Sequence, residues 1–203
     1  VRASHTLNTI QNEFGIQLPY VKKVKSSLEA IFGIETQQYK LYTGNNTILN
    51  NYASARLANV YTNAKWQYSA FAKLYLLGEA AGTYAIDASA GRTIRNTNIA
   101  VHFRQNLMEA PYLMQQYASN FYGWQNNFKN QFNTTLGASL SISKIKTQLA
   151  FNNITMLNHI YYIDSMLVKQ ATNGIIILQL QGRKEINYRK WNATVDAILQ
   201  QAN

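Results

Sequence analysis

Apolar residues recur along this chain at intervals of three and four. The clearest series is Ile99, Phe103, Leu107, Ala110, Met114, Tyr117, Phe121, Trp124 and Phe128, the spacing of one face of an α-helix. Pro111 interrupts it, and either opens a new helix at its first turn or kinks a long one. A second series runs through Ile142, Ile145, Leu149, Asn152, Met156, Ile160, Ile163 and Leu167. At 1.5 Å per residue such a helix would be about 45 Å long, the full width of a compact chain of this size, so the helices are predicted to run the length of an elongated bundle. A third helix reads over residues 52–77, and a fourth carries Tyr188, Trp191, Val195, Ile198 and Ala202 on one face. Residues 175–180 are β-branched and sit between turn signals at Asn173-Gly174 and Gly182. They permit a short strand, but with no partner strand in view we read them as helix or connector.

Residues 5–14 and 20–32 read as two short helices separated by Gly15 and Pro19. Gly33 and Gly44-Asn45-Asn46 then break the pattern. The predicted fold is all-α: a bundle of about four long helices over residues 51–203, preceded by a helix–turn–helix arm over residues 1–50. Gly78, Gly82 and Gly91 mark a flexible or closely packed link, and no internal repeat is visible.

With 203 residues, 47% of them hydrophobic, the chain can bury a core. It has no Cys, which excludes disulfides, thiolate metal sites and a cysteine nucleophile. No uncharged apolar run reaches the ~18 residues of a membrane-spanning helix, which argues against an integral membrane protein. The chain opens on Val1 rather than Met, read as processing or trimming, and no signal-peptide pattern stands at its start. Nineteen Lys and Arg face nine Asp and Glu, yet only 14% of residues are charged, below the usual ~25%. Amides fill the gap, with 23 Asn and 16 Gln. A surface poor in carboxylates suits a polyanionic partner, which fixed negative charge would repel. It equally suits packing against copies of itself, where few ions need desolvating. A basic domain with no polyanion partner is the plain alternative.

Catalytic groups are few. His5, His102 and His159 share no metal-ligand spacing, Asp87, Asp164 and Glu109 have no local partner for acid–base work, and no phosphate-binding loop occurs. We therefore expect no enzyme, no catalytic residue, no metal and no cofactor. Four Asn-x-Ser/Thr sites, at Asn45, Asn133, Asn153 and Asn192, are what so much Asn produces by chance. The basic residues carry the functional expectation. Lys22, Lys23 and Lys25 open the second predicted helix, where the macrodipole opposes them unless an anion sits there. Lys40 follows on the arm, Arg56, Lys65 and Lys73 punctuate the first long helix, and Arg92, Arg95 and Arg104 lie on a stretch poor in carboxylates. Each is equally a solvated helix position. Together they are the candidate nucleic-acid-binding residues, contacting backbone phosphate without reading bases.

A basic helical bundle with an N-terminal helix–turn–helix arm, no Cys, few acids and abundant Asn, Gln, Tyr and Ala resembles the major capsid proteins of filamentous archaeal viruses, the lipothrixvirus and rudivirus group. The resemblance implies a structural virion subunit that coats linear double-stranded DNA in a helical filament. Its partners would be the DNA backbone and copies of itself or a paralogous capsid subunit, with room for a lipid envelope. It places Lys22, Lys23 and Lys25 on the DNA-facing arm, and Arg56, Lys65 and Lys73 on the inner face of the bundle. The alternative is a helical subunit of a secretion or conjugation pilus, or a phage ejection protein, that does not coat DNA.

Overall fold

Side chains two apart, and never three apart, share a surface in this protein's strands. A computed structural model describes residues 6–21, 26–41, 44–59, 66–118, 123–163 and 167–203. The first six elements are strands: β1 (Thr6–Val21), β2 (Ser26–Leu41), β3 (Gly44–Asn59), β4 (Trp66–Leu77), β5 (Tyr84–Ile94) and β6 (Thr97–Met108). A one-turn helix α1 (Tyr112–Gln115) and a small hairpin, β7 (Gln116–Ala118) and β8 (Gly123–Gln125), follow. Then come β9 (Gln131–Ile142), β10 (Thr147–Leu157), a second small hairpin of β11 (Ile160–Ile163) and β12 (Leu167–Gln170), and finally β13 (Ile175–Tyr188) and β14 (Trp191–Ala202). Ten of these strands form one antiparallel meander in the order β1-β2-β3-β4-β5-β6-β9-β10-β13-β14.

The predicted all-α bundle is thus overturned, and so is its helix–turn–helix arm: residues 6–41 are mostly the first two strands, paired from Thr6↔Lys40 to Val21↔Ser26. The spacing misled for a definite reason. A step of four returns to the same side of a helix and of a strand alike. Ile99, Phe103 and Leu107 share one face of β6, and Val101, which the helical series omits, shares it too. In the second series, Leu149 and Asn152 fall on opposite faces of β10, while the omitted Phe151 lies on the face of Leu149. Residues 175–180, the one stretch that admitted a strand, are the start of β13. Pro111 does precede a helix, but one of four residues.

Three tight turns join strands at one end of the sheet. Arg95-Asn96 links β5 to β6, Arg189-Lys190 links β13 to β14, and a 3-10 turn over Ser143–Ile145 links β9 to β10. Arg95 and Arg189 adopt left-handed backbone at φ 54° and 51°, where hairpins ordinarily carry Asn or Gly. The longer connections, residues 109–130 and 158–174, lie at the other end with both small hairpins. There Ala110, Ile160 and Val168 make a buried cluster supported by Met114, Trp124 and Phe128.

The ladder register aligns apolar residues in rows. One row crosses seven strands through Phe14, Phe32, Ala53, Leu74, Tyr84, Leu107 and Phe132. This face is open: Phe14 is 73% exposed, and Ile10, Phe32, Leu136, Phe151 and Leu199 are exposed as well. Among the described residues only six hydrophobic side chains are buried. The chain exposes 14319 Å², against about 9,700 Å² expected for a compact protein of its mass.

The opposite face is polar and more closely packed. Tyr52, 1% exposed, lays its ring over Gly33 of the neighbouring strand, where any side chain at position 33 would collide with it. Gly33→Ala is therefore expected to destabilise the protein by about 1–3 kcal/mol through overpacking, read as a lower denaturation midpoint with an unchanged denaturant slope.

Candidate functional site

The two faces of a strand are fixed by odd and even position, so the ladder register also sorts the charges. Glu13, Glu29, Glu35, Asp87, Glu185 and Asp196 are the carboxylates of the described strands, and all six lie on the face opposite the Phe14–Phe132 row. Arg56, Lys73, Arg104 and Arg183 join them. One row across the sheet reads Glu29, Arg56, Phe71, Asp87, Arg104, with charges arranged so that unlike signs are neighbours.

A network crosses the first four strands at its centre. Lys73 Nζ sits 3.7 Å from the ring centre of Tyr52 and 4.6 Å from that of Tyr75, an arrangement in which two ring faces attract one ammonium. It also lies 3.9 Å from Glu35 Oε2. The Tyr75 hydroxyl donates to Glu35 at 3.2 Å, and Gln37 Nε2 donates to the other Glu35 oxygen at 2.6 Å. The Tyr52 hydroxyl donates to Glu13 and accepts from Gln11 Nε2. Every member stands on an alternate position of its strand, so the register alone makes these residues adjacent.

Two cavities flank this network. One, of about 280 Å³, lies among Glu13, Glu29, Tyr52, Arg56, Phe71 and Lys73. The other, of about 400 Å³, is bounded by Glu35, Asn50, Tyr75 and Asn106 on the sheet and by Glu109, Tyr112 and Gln115 of the connection after β6. That connection folds over the polar face, with the Tyr112 ring 4.7 Å from Tyr39 and Gln115 Nε2 donating to Glu109 at 3.2 Å. Burial pushes the Glu109 carboxyl up from its ordinary range. Glu79 adds to the shift, and the bond from Gln115 opposes it.

The structure disperses the basic residues expected to bind nucleic acid. Arg56 and Lys73 line one cavity, and Arg104 pairs with Asp87 at 2.8 Å. Asp87, without a partner in the local sequence, finds one across the ladder. Lys40 is exposed on β2, Arg95 is exposed in a turn, and Arg92 lies over the ring of Trp66 on the apolar face. Lys22, Lys23, Lys25 and Lys65 lie outside the described residues. Sequence reasoning missed Glu13, Glu35, Tyr52 and Tyr75; a count of alternate positions would have placed each on a polar face.

A family model described as "Putative porin" matches residues 1–203. No curated protein matches the chain. The family match and the strands overturn the resemblance to filamentous-virus capsid proteins, together with the virion location and the DNA-coating role. They overturn the pilus and ejection-protein alternative as well, since each was built on long helices. The argument against an integral membrane protein fails too, because it counted only the apolar runs that a spanning helix needs.

For the central network, a double-mutant cycle of Lys73→Met and Glu35→Gln is expected to give a coupling of about 0.5–3 kcal/mol. Equilibrium unfolding of the four proteins measures it, and additive effects would show that the two groups do not interact.

Proposed function

Because this chain belongs to that porin family, we propose that it is a membrane-embedded β-sheet protein whose polar face lines a path for small hydrophilic solutes. The observation that carries this reading is the sorting of charge: all six described strand carboxylates lie on one face, and exposed Leu, Ile, Phe, Val and Ala cover the other. Water would penalise that second face, whereas hydrocarbon would welcome it. Of the described strand residues on the apolar face, only Lys40, Arg92 and Lys184 are charged, each toward a strand end. Such positions let a long side chain reach the headgroup level.

Dimensions agree. Strands of 11 or 12 residues such as β4, β5, β6, β9 and β10 run about 37–41 Å at 3.4 Å per residue. Tilted about 45°, they rise about 26–29 Å, enough for the ~25 Å apolar band of a membrane barrel. Trp66 and Trp191, 54% and 78% exposed, stand on the apolar face at the tight-turn end, where aromatic side chains of membrane barrels meet the interface. The two longest connections, residues 109–130 and 158–174, lie at the same end, as the longer loops of outer-membrane-type barrels do. In hydrocarbon every backbone group needs a partner, so the outer edges of β1 and β14 must be paired in the membrane.

Two experiments test the reading. Leu136→Arg, at the middle of β9 on the apolar face, is expected to cost about 2–4 kcal/mol in vesicles. Thr135→Arg, one residue away on the polar face, should cost far less, and equal losses would remove the distinction between the faces. In planar bilayers the full chain is expected to give stepwise conductance, and Lys73→Glu should shift its reversal potential toward cation preference. Membranes that stay sealed after verified insertion of the protein would overturn the solute path.

A further inference from the structure

Arg92 is the one described cation that combines a place on the apolar face with a buried, unpartnered nitrogen. It is paired in register with Trp66 of β4 and Ile99 of β6, both on that face. Its guanidinium carbon lies 5.2 Å from the centre of the Trp66 ring, so one side of the planar cation is covered by an aromatic surface. The Arg92 Nε is buried and makes no hydrogen bond. The two terminal nitrogens carry four further N–H donors, and an anion on the apolar side accepts from these.

The surroundings indicate which anion. Arg92 is two residues from the end of β5, and Arg95 stands exposed in the tight turn that follows. The Ser143 N–H donates to the Asn96 carbonyl at 2.8 Å, which ties the turn holding exposed Lys144 and Lys146 to the turn holding Arg95. Glu185 also lies close, its N–H donating to the Lys146 carbonyl, but its side chain belongs to the polar face. None of the described strand carboxylates shares the face of Arg92.

We propose that Arg92, stacked on Trp66 and backed by Arg95, Lys144 and Lys146, binds the phosphate of an anionic phospholipid headgroup at the tight-turn rim. The proposal rests on the membrane-embedded reading given above. A lipid phosphate fits better than a free anion because the site opens on the apolar side, at the depth where acyl chains meet headgroups. Arg suits the task because its planar fork can donate two parallel bonds to one phosphate while its face stays on the indole.

The test is the preference of this chain for spin-labelled phosphatidylglycerol over spin-labelled phosphatidylcholine in mixed vesicles of those two lipids. The wild-type chain is expected to favour phosphatidylglycerol, and Arg92→Gln to lower that preference by about fivefold, the effect of one base at a membrane surface. Arg92→Lys should recover only part of it. A preference unchanged in Arg92→Gln would overturn the assignment. So would a preference abolished by inorganic phosphate but not by chloride at equal ionic strength, since that would mark a site for free phosphate. Failure of the wild-type protein to co-float with vesicles would overturn the membrane reading itself; co-floating without lipid preference would overturn this proposal alone.

Discussion

Antiparallel pairing in strict register is the constraint on which everything else in this protein depends. A strand repeats every two residues, so once Phe14 lies opposite Phe32, Glu13 must lie opposite Gly33, and the same rule passes from strand to strand across the sheet. A slip of one residue anywhere would move a row of Leu, Ile and Phe to the polar face and a row of charges to the apolar one. The register therefore holds apart two surfaces that need different solvents.

The distribution of burial follows from this. Among the described residues the most protected side chains are Ser26, Tyr52, Asn50, Ala110 and Thr83, while Phe14, Leu199 and Trp191 stand open. Such a sheet gains little by folding in water, because its apolar face finds no partner there. In a bilayer the same face needs none. The polar face then does the work of a core, closing cross-strand networks such as Glu13–Tyr52 and Glu35–Tyr75 and seating the connection after β6 above them.

Much of the alternation is legible in the sequence. Phe14-x-Ile16-x-Leu18 and Leu28-x-Ala30-x-Phe32-x-Ile34 have the period of two, and Ile176-x-Leu178-x-Leu180 repeats it near the other end. Three things masked it. Steps of four fit both periods, so Ile99, Phe103 and Leu107 support a helix until Val101 is counted. Alanines such as Ala53, Ala55, Ala70 and Ala72 favour helices in water, yet here they serve only as small apolar residues on one face. The hairpin turns at Arg95-Asn96 and Arg189-Lys190 lack the Gly that ordinarily announces a hairpin.

By itself, the sequence determined which side chains share a face, since odd and even positions follow from the covalent order of the strand. It determined the scarcity of acids and the absence of Cys as well. Only the tertiary structure decided who meets whom. Glu35 and Lys73 are far apart in the chain, and Arg104 reaches Asp87 only because the Arg95-Asn96 turn sets the pairing of β5 with β6. Parity is a property of one strand, readable from local order. Pairing is a property of two strands, and it depends on turn lengths and on the cost of mixing charged and apolar faces, neither of which any single segment contains.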